Sequence, residues 1–444
     1  MEKIIKIFPP VFESSIINKE IKRKIKIRIE ANSGEFTYVD IDFSNLISFA
    51  GKVNTLVVDF FLISSCIYCI DRLFERRKNS VDGWSREFII QMPVNDTVKW
   101  SSVSNRLESI LSFLTGDYWK CSFYQNSFVF PLVELDQNYD INFKQVNLFS
   151  GGLDSLIGAI DFLEEFTEEN LLLVSHYDQN MHGPKHDQEK VIEKLVIKYN
   201  QRIKQIPSIN IHPTIANETT CRSRSLLFLG LATLISQSKR LPIIVPENGT
   251  VSLNFPLSRS RRSACSTRTT HPTFISEITS LLLSLDLVID ISNPYKFDTK
   301  GEMVSKCNNT NFLNEIIDLS NSCGKRGHRS HWIDDKRASH CGTCMPCVYR
   351  RASLLTLTDK TTYGTKLDSL YPFKTDKGQD IGACLEYLKK PITIEEIRNE
   401  LIVNGLIDLQ NLEEYAKVVM RTRDELKAWV MKFGDINVRR KAGL

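Results

Sequence analysis

The stretch VNLFSGGLDS, residues 146–155, indicates the fold of the central part of the chain. Residues 146–149 form a short apolar run that predicts a buried strand, and residues 155–166 have the pattern of a helix. Two adjacent glycines between them permit positive φ and let an anion approach the backbone with no Cβ in the way. Backbone N–H groups at the start of a helix then face one point. The stretch therefore predicts a phosphate-binding turn, whose residues are Ser150, Gly151, Gly152, Leu153, Asp154 and Ser155.

Asp154 is the acidic residue of this turn. A carboxylate beside bound phosphates would repel them unless a divalent cation lay between, so we interpret Asp154 as a residue on the Mg²⁺ side of the site or as a helix cap. The hydroxyl groups of Ser150 and Ser155 offer further donors. The chain has no Gly-x-x-x-x-Gly-Lys-Ser/Thr signature, which excludes a phosphate site of the Walker type.

The residues after the turn alternate between strand and helix patterns. Three apolar runs predict strands at 171–174, 243–245 and 287–289. Three longer stretches predict helices at 187–198, 225–236 and 274–284. Such alternation is typical of an α/β fold with a doubly wound, mainly parallel sheet. Ligands bind these sheets at the carboxyl ends of the strands, where the turn falls.

Two flanking regions differ from this central pattern. The first predicts half-exposed strands at 24–29 and 36–41 and helices at 54–77 and 104–114. The last region is helical and charged, most clearly at 392–397 and 411–433. A winged-helix-like unit is the alternative to a plain helical appendage there. We predict an N-terminal α+β accessory domain at 1–140, an α/β domain at 141–361 and a C-terminal helical region at 362–444.

Three cysteines recur with two residues between each in Cys341-Gly342-Thr343-Cys344-Met345-Pro346-Cys347. Such a knuckle can direct three sulfurs at one ion, and Cys323 is the natural fourth ligand. Four thiolates in a tetrahedral array make a closed, structural Zn²⁺ site. Two alternatives stay open: an iron–sulfur cluster, and replacement of Cys323 by His328, His331 or His340.

The composition is that of an ordinary globular protein, since 42% of the 444 residues are apolar and 25% are charged. A formal charge of +4 does not by itself indicate a nucleic-acid or membrane partner, so a nucleic-acid partner stays open. The N-terminus lacks a secretory signal pattern and no apolar run is long enough to span a membrane, so we expect a cytoplasmic protein without a membrane partner. Cysteines stay reduced there, and Cys66 and Cys69, in an apolar segment, are expected to be buried thiols.

Ser-Gly-Gly-x-Asp-Ser after a strand resembles the PP-loop ATP pyrophosphatase superfamily. Together with Cys-Gly-x-Cys-x-x-Cys before a basic helix, it resembles the 7-cyano-7-deazaguanine synthase family over about residues 144–357. Weaker matches to that family are His176-Tyr177-Asp178-Gln179, Arg224-Ser225-Leu226-Leu227-Phe228-Leu229 and Thr299-Lys300-Gly301-Glu302-Met303-Val304.

The resemblance implies that the chain binds ATP and Mg²⁺, transfers AMP to a substrate carboxylate and releases pyrophosphate. Members of the family adenylate a deazaguanine carboxylate, let ammonia attack it and dehydrate the resulting amide to a nitrile. By match, the turn residues hold ATP, Tyr177 and Gln179 border the nucleotide or the substrate, and Arg224 faces the cleft.

The sequence departs from the family at the substrate pocket. A Tyr-Pro-Asp-Cys-Arg-Pro-Glu-Phe segment is replaced by residues 265–274, which carry no acidic group, and Asp178 stands in place of a glycine. With its added flanking regions, the chain is similar to the enlarged synthase-like proteins of bacterial anti-phage defence systems, notably the Qat type. That similarity implies that the activated deazapurine-like carboxyl group meets an amine of a partner protein rather than ammonia.

The loop from Glu247 to Thr270 is expected to select the substrate. Arginines near the carboxyl end of a strand can bind a carboxylate or pyrophosphate through two hydrogen bonds. Arg268 therefore joins Asp154, Ser155 and Arg224 as a catalytic candidate. A solvated basic loop or an RNA-facing patch is the alternative. The other arginines of the loop are Arg259, Arg261 and Arg262.

We expect an ATP-dependent ligase that forms C–N bonds on a 7-carboxy-7-deazaguanine-like substrate. Two other functions are compatible with the same motifs. One is a tRNA-modifying PP-loop enzyme, with Cys265 as the loop candidate for sulfur transfer. The other is a non-catalytic nucleotide-binding scaffold of a defence complex. The sequence leaves open the amine acceptor, the final product and whether the chain forms homo-oligomers.

Overall fold

The structure is a computed structural model that describes residues 2–17, 20–50, 53–126, 128, 143–181, 183–200, 202–205, 208–258, 268–375 and 377–444. The strands are β1 (Lys3–Ile7), β2 (Val11–Ile17), β3 (Glu20–Ala31), β4 (Phe36–Asp42), β5 (Glu87–Val94), β6 (Tyr118–Gln125), β7 (Phe143–Leu148), β8 (Asn170–Val174), β9 (His176–Tyr177), β10 (Ile203–Gln205), β11 (Ile209–Pro213), β12 (Ile243–Ile244) and β13 (Ile291–Ser292). The α-helices are α1 (Ile47–Ala50), α2 (Thr55–Leu73), α3 (Arg76–Asn79), α4 (Thr97–Ser102), α5 (Ser104–Thr115), α6 (Leu153–Glu165), α7 (Pro184–Tyr199), α8 (Arg224–Lys239), α9 (Gly249–Leu253), α10 (Pro272–Ser284), α11 (Lys300–Ser305), α12 (Thr310–Ile316), α13 (Met345–Ser353), α14 (Gln379–Lys389), α15 (Ile394–Val403), α16 (Leu412–Phe433) and α17 (Ile436–Ala442). None of these helices combines the length and the hydropathy that a membrane span needs.

Five parallel strands form the central sheet, in the order β10-β8-β7-β12-β13. In chain order the first strand, β7, lies between the second and the fourth, so the direction of winding reverses there. Such a reversal opens a crevice at the carboxyl ends of the strands. The predicted α/β class is therefore confirmed, and the turn after β7 lies at this crevice.

Helices cover both faces of this sheet, because its strands are apolar on both sides. Leu171 and Leu173 of β8 pack in one core with α6 and α7. Leu172 and Val174, which alternate with them, pack in another core with α8 and α10. Alternation along one strand thus separates two helical layers.

The predicted strand at 287–289 is wrong, because the sheet pairs residues that follow it. The Ile243 N–H donates to the Asp290 carbonyl (2.8 Å), and the strand that pairs with β12 is β13. Leu287 and Ile289 are buried, whereas Val288 is 81% exposed. Residues 287–289 therefore pack near the end of α10 without joining the sheet. Burial of an apolar run does not by itself distinguish a paired strand from an unpaired segment.

The N-terminal sheet continues into the central region. Its order is β6-β5-β1-β3-β4-β11-β9, with β2 paired to β3, and the predicted strands at 24–29 and 36–41 are confirmed as parts of β3 and β4. β11 pairs antiparallel with β4, and one apolar core contains residues from both regions. The predicted boundary at residue 140 lies outside the described residues.

Helix α2 is the main contact between these two regions. It is buried along its length, and a Cβ at Gly230 of α8 would lie 2.6 Å from Ser64 Oγ, so the two helices approach closely at this glycine. Cys66 and Cys69 are buried, as predicted, and burial raises the pKa of both thiols.

The C-terminal region is helical from residue 379 onward in the part of the chain that the structure describes. The predicted helices at 392–397 and 411–433 are confirmed as parts of α15 and α16. A capping box between Thr393 and Glu396 begins α15. Leu426 and Trp429 of α16 pack in one core with Leu253 of α9 and Tyr349 of α13.

A buried ion network fixes the end of α2. Arg86 Nη2 lies 2.5 Å from Asp71 Oδ1 and 2.7 Å from Asp117 Oδ2, and all three side chains have no exposed surface. Burial opposes ionisation of Asp71, but Arg86 and Arg76 lower its pKa. Asp71 also accepts from the Ser223 hydroxyl (2.8 Å) at the start of α8.

Asp117 also pairs with Arg76 Nη1 (2.8 Å). We expect Asp117→Ala to lower the free energy of unfolding by about 3–5 kcal/mol, because the buried side chains of Arg86 and Arg76 would lose one of the two carboxylates that balance their charges. Urea denaturation measures the change. The control is Asp424→Ala in α16, whose carboxylate is 67% exposed and pairs with Lys427, and it should cost less than about 1 kcal/mol. Similar denaturation midpoints for the two variants would contradict the role of the network.

Candidate functional site

The turn between β7 and α6 has the shape that its two glycines permit. Gly151 has φ +81°, and a Cβ there would lie 3.0 Å from Gln188 Cγ, so the backbone and the space both favour glycine. The Gly152 N–H donates to Ser150 Oγ (3.3 Å), and Ser155 Oγ donates to the Gly152 carbonyl (3.0 Å). The first N–H groups of α6 thus lie at the carboxyl end of β7, as an anion site on this sheet requires.

The segment before Cys323 lies against this turn. The Asn321 N–H donates to the Gly151 carbonyl (2.9 Å), and the Leu153 N–H donates to Ser322 Oγ (3.3 Å). Ser322 is therefore a hydroxyl group at the turn that the sequence analysis did not identify. Its position directly before a candidate metal ligand is the sequence feature that could have pointed to it.

Asp154 is buried and joins the turn to two other strand ends. Asn248 Nδ2 donates to Asp154 Oδ2 (2.5 Å), and the Lys300 ammonium group contacts Oδ1. Asn248 follows β12 and caps α9, whereas Lys300 follows β13 and begins α11. The contacts described for this carboxylate are with side chains and not with N–H groups of α6, so they do not support a plain helix cap.

Glu247 adds a second carboxyl group to this cluster. Part of the residue is accessible, but its carboxyl group is buried against Asp154, and burial together with the Asp154 charge raises the pKa of Glu247 well above its ordinary value. Burial also opposes ionisation of Asp154, yet the Lys300 charge and hydrogen bonds from its neighbours lower the pKa of Asp154. Of the two carboxyl groups, Asp154 is therefore the one that ionises more readily.

Tyr177 and Gln179 lie at the edge formed by β9 and β11. Gln179 Nε2 is 2.5 Å from His212 Nε2, and Gln179 Oε1 accepts from Asn210 Nδ2 (3.0 Å). The Tyr177 ring is partly exposed, and Lys185 Nζ is 5.3 Å from its centroid. These two candidates thus lie on the strand edge beside the turn, and their described contacts do not include Asp154.

Asp178 faces the protein interior. Tyr68 OH donates to Asp178 Oδ2 (2.7 Å), and Arg72 Nε lies 3.5 Å from the same oxygen. Both partners belong to α2. Asp178 therefore anchors the N-terminal region beside the site.

Arg224 is connected to the turn through one carbonyl group. Its Nη2 donates to the His176 carbonyl (3.2 Å), which also accepts from Gln188 Nε2 (3.1 Å). The Gln188 amide also donates to the Ser150 carbonyl (3.3 Å). The structure therefore brings Arg224 near the turn. Gln188 was missed because a single glutamine on a helix carries no sequence signal.

Arg268 has a different environment from the one expected. Its guanidinium carbon lies 4.1 Å from the centroid of the Phe113 ring on α5, and Nη1 donates to the Phe113 carbonyl (3.1 Å). Burial lowers the pKa of Arg268 to about 10. Its described contacts include no residue of the turn, so the structure does not bring this candidate together with the others. The remaining loop candidates lie outside the described residues: Arg259, Arg261, Arg262 and Cys265.

Four cysteines converge next to the turn, and their sulfurs all lie within 4.8 Å of one another: Cys323, Cys341, Cys344 and Cys347. Cys341 and Cys347 Sγ are 3.7 Å apart. Zn–S bonds of about 2.3 Å in a tetrahedron place sulfurs about 3.8 Å apart, so the donors fit such an ion. The N–H groups of Thr343 and Cys344 donate to Cys341 Sγ (3.4 and 3.3 Å), as they would to a thiolate. The predicted set could hold a metal such as zinc.

Cys323 is the fourth donor of this group in the described chain. His340 is buried, but its Nδ1 lies 2.9 Å from Ser339 Oγ and its Nε2 accepts from the Ser322 N–H (3.4 Å). His328 and His331 lie in an exposed 3-10 helix (Arg326–His331). The geometry therefore favours cysteine over each histidine alternative.

We expect purified protein to contain about one zinc ion per chain and Cys344→Ser to lose it, because a hydroxyl group does not replace the fourth thiolate. The variant should also unfold at a lower temperature, since the ion would fix the segment that contacts the turn. Elemental mass spectrometry and thermal unfolding measure these changes. Cys121→Ser, outside the cluster, is the control, and equal metal content in both variants would show that the cluster is not the metal site.

The chain has no significant match to a protein-family profile, a curated protein or a solved structure. The site is therefore defined by its own contacts. It comprises a glycine-rich turn, a buried aspartate–lysine pair and a four-cysteine cluster, at the carboxyl ends of the strands of a parallel sheet.

Proposed function

We propose that the turn at residues 150–155 binds the triphosphate of ATP and that the protein uses ATP to activate a carboxylate substrate for attack by an amine. One observation carries the proposal. The turn lies where the strand order of a parallel sheet reverses, and its buried aspartate is held by Asn248 and Lys300 from two other strand ends. Nucleotides bind α/β sheets at this position.

The charges around the turn support a triphosphate ligand. The N-terminus of α6 supplies N–H groups and the positive end of the helix dipole. Asp154 would hold Mg²⁺ in exchange for its contact with Lys300, and the ammonium group would then be free to contact the phosphates. The ion would neutralise charge on the departing pyrophosphate.

The reaction would be an adenylation. A carboxylate oxygen of the substrate forms a bond to the α-phosphorus while the bond to the bridging oxygen breaks, so both electrons leave with pyrophosphate. The N–H groups of the turn and Lys300 stabilise the charge on this leaving group. An amine then attacks the acyl carbon and loses a proton to water, and AMP leaves with the electrons of the acyl–oxygen bond.

The resemblance to 7-cyano-7-deazaguanine synthases supports a 7-carboxy-7-deazaguanine-like substrate, bordered by Tyr177, Gln179 and Arg224. The acceptor would be ammonia or an amine of a partner protein in a bacterial anti-phage defence system. Zn²⁺ held by the four cysteines would be structural, because the chain fills all its tetrahedral positions.

Two described thiols outside the four-cysteine cluster, Cys221 and Cys307, do not favour sulfur transfer to tRNA. Burial raises the pKa of Cys221, and it raises the pKa of Cys307 to about 12. Both groups therefore stay protonated at neutral pH, whereas the thiolate is the nucleophile.

Asp154→Asn tests the proposal. With ATP, Mg²⁺ and 7-carboxy-7-deazaguanine, we expect the wild-type protein to release pyrophosphate and the variant to be about 100-fold slower or worse, because an amide is a poor ligand for the cation and loses the charge. A pyrophosphate assay measures the rate. Intact-mass analysis of candidate partner proteins detects the conjugate.

Asp161→Asn on the same helix is the matched control. Asp161 accepts from Tyr295 OH (2.8 Å) and the Asn308 N–H (2.8 Å), outside the turn. Equal rates for the two variants, or no release by the wild-type protein, would overturn the adenylation. Nucleotide binding without release would indicate a nucleotide-binding scaffold.

A further inference from the structure

The C-terminal helix α16 contacts both segments that hold the buried aspartate of the turn. On the side of α9, Thr422 Oγ1 lies 2.5 Å from Thr250 Oγ1. A Cβ at Gly249 would lie 3.0 Å from Val418 Cγ1. The helix therefore packs against α9 directly after its capping residue, Asn248.

On the side of α11 the contact is a carboxyl group. Glu425 Oε2 accepts from the Gly301 N–H (3.3 Å), and Oε1 accepts from the Thr299 hydroxyl. A Cβ at Gly301 would collide with the Glu425 carboxyl group, so the two elements fit closely. Thr299 and Gly301 are the two neighbours of Lys300. One side chain of the C-terminal region thus holds both residues that flank the lysine bound to Asp154.

We propose that Glu425 is a positioning residue of the nucleotide site, which sets the place of Lys300 through the residues on either side of it. The inference rests on the proposed function, in which Lys300 moves between Asp154 and the phosphates. It gives the C-terminal region a role, because α16 completes the site from outside the α/β core.

The charges around Glu425 make this role depend on pH. Glu302 of α11 and Arg421 of α16 face it and pair with each other (2.7 Å). Burial raises the pKa of Glu425 to about 7. Above that pH both carboxylate oxygens accept hydrogen bonds, whereas below it one oxygen carries a proton and acts as a donor. The contribution of this group to folding stability is present at low pH and lost as pH rises through 7, while its hold on the two neighbours of Lys300 strengthens.

Glu425→Gln keeps the shape but removes the charge and one acceptor. The matched control is Asp424→Asn, which removes a carboxylate charge at an exposed position of the same helix. Two measurements across neutral pH compare them: KM and kcat for ATP, and acetylation of Lys300 by a pulse of acetic anhydride, quantified on its peptide. The second measurement requires no nucleotide.

Because acetylation of any lysine rises with pH, Lys300 acetylation is divided at each pH by that of the exposed Lys78. In the wild-type protein and Asp424→Asn, we expect both KM and this acetylation ratio to change through about pH 7. In Glu425→Gln the pH-dependent change should be absent. Above pH 7 we expect KM for ATP to be about tenfold higher and kcat to change little. Lys300 should react faster with acetic anhydride than in the wild-type protein. Glu425→Asp keeps the charge but shortens its reach, and it should raise KM in the same direction if the glutamine variant does not fold.

If the ratio of Lys300 to Lys78 acetylation in Glu425→Gln changed with pH as it does in the wild-type protein, the inference would be overturned. A wild-type protein that does not use ATP would overturn the proposed function alone, because acetylation still reports whether Glu425 controls Lys300.

Discussion

The contact between Asp154 and Lys300 is the interaction on which the arrangement of the site depends. A buried carboxylate is costly unless it is paired and hydrogen-bonded. Asp154 meets this condition because the residues after β12 and β13 bring Asn248 and Lys300 to it. Burial and the same charge raise the pKa of Glu247, the second carboxyl group at this place. One buried charge thus holds three strand ends together.

The other parts of the chain act on this pair from outside. The segment before the four cysteines is hydrogen-bonded to the turn, and α16 contacts both α9 and α11. Asp178 joins the end of β9 to α2, and β11 continues the sheet of the N-terminal region. Each region reaches the site through a small number of side chains or carbonyl groups. The flanking regions therefore support the site directly, and the N-terminal region also shares one apolar core with the central sheet.

Part of this arrangement followed from local patterns. The strand, turn and helix over residues 146–166 and the spacing of Cys341, Cys344 and Cys347 depend only on residues close in sequence. The strand expected at 287–289 was wrong because an apolar run is buried equally well with or without pairing. Arg268 was expected at the cleft. The local sequence does not show whether an arginine at the end of a loop contacts the cleft or an aromatic ring from a remote part of the chain. Phe113, 155 residues away in sequence, provides that ring here.

Local sequence was sufficient for the fold class, the glycine turn, the cysteine donors and the C-terminal helices, because each requires only a period or a spacing within a short window. Folding in three dimensions was needed to show that Lys300 and Asn248 meet Asp154, that Ser322 lies on the turn and that Glu425 holds the neighbours of Lys300. These features depend on distances between segments far apart in the chain and on the loss of water around buried charges, and no short window of sequence contains either.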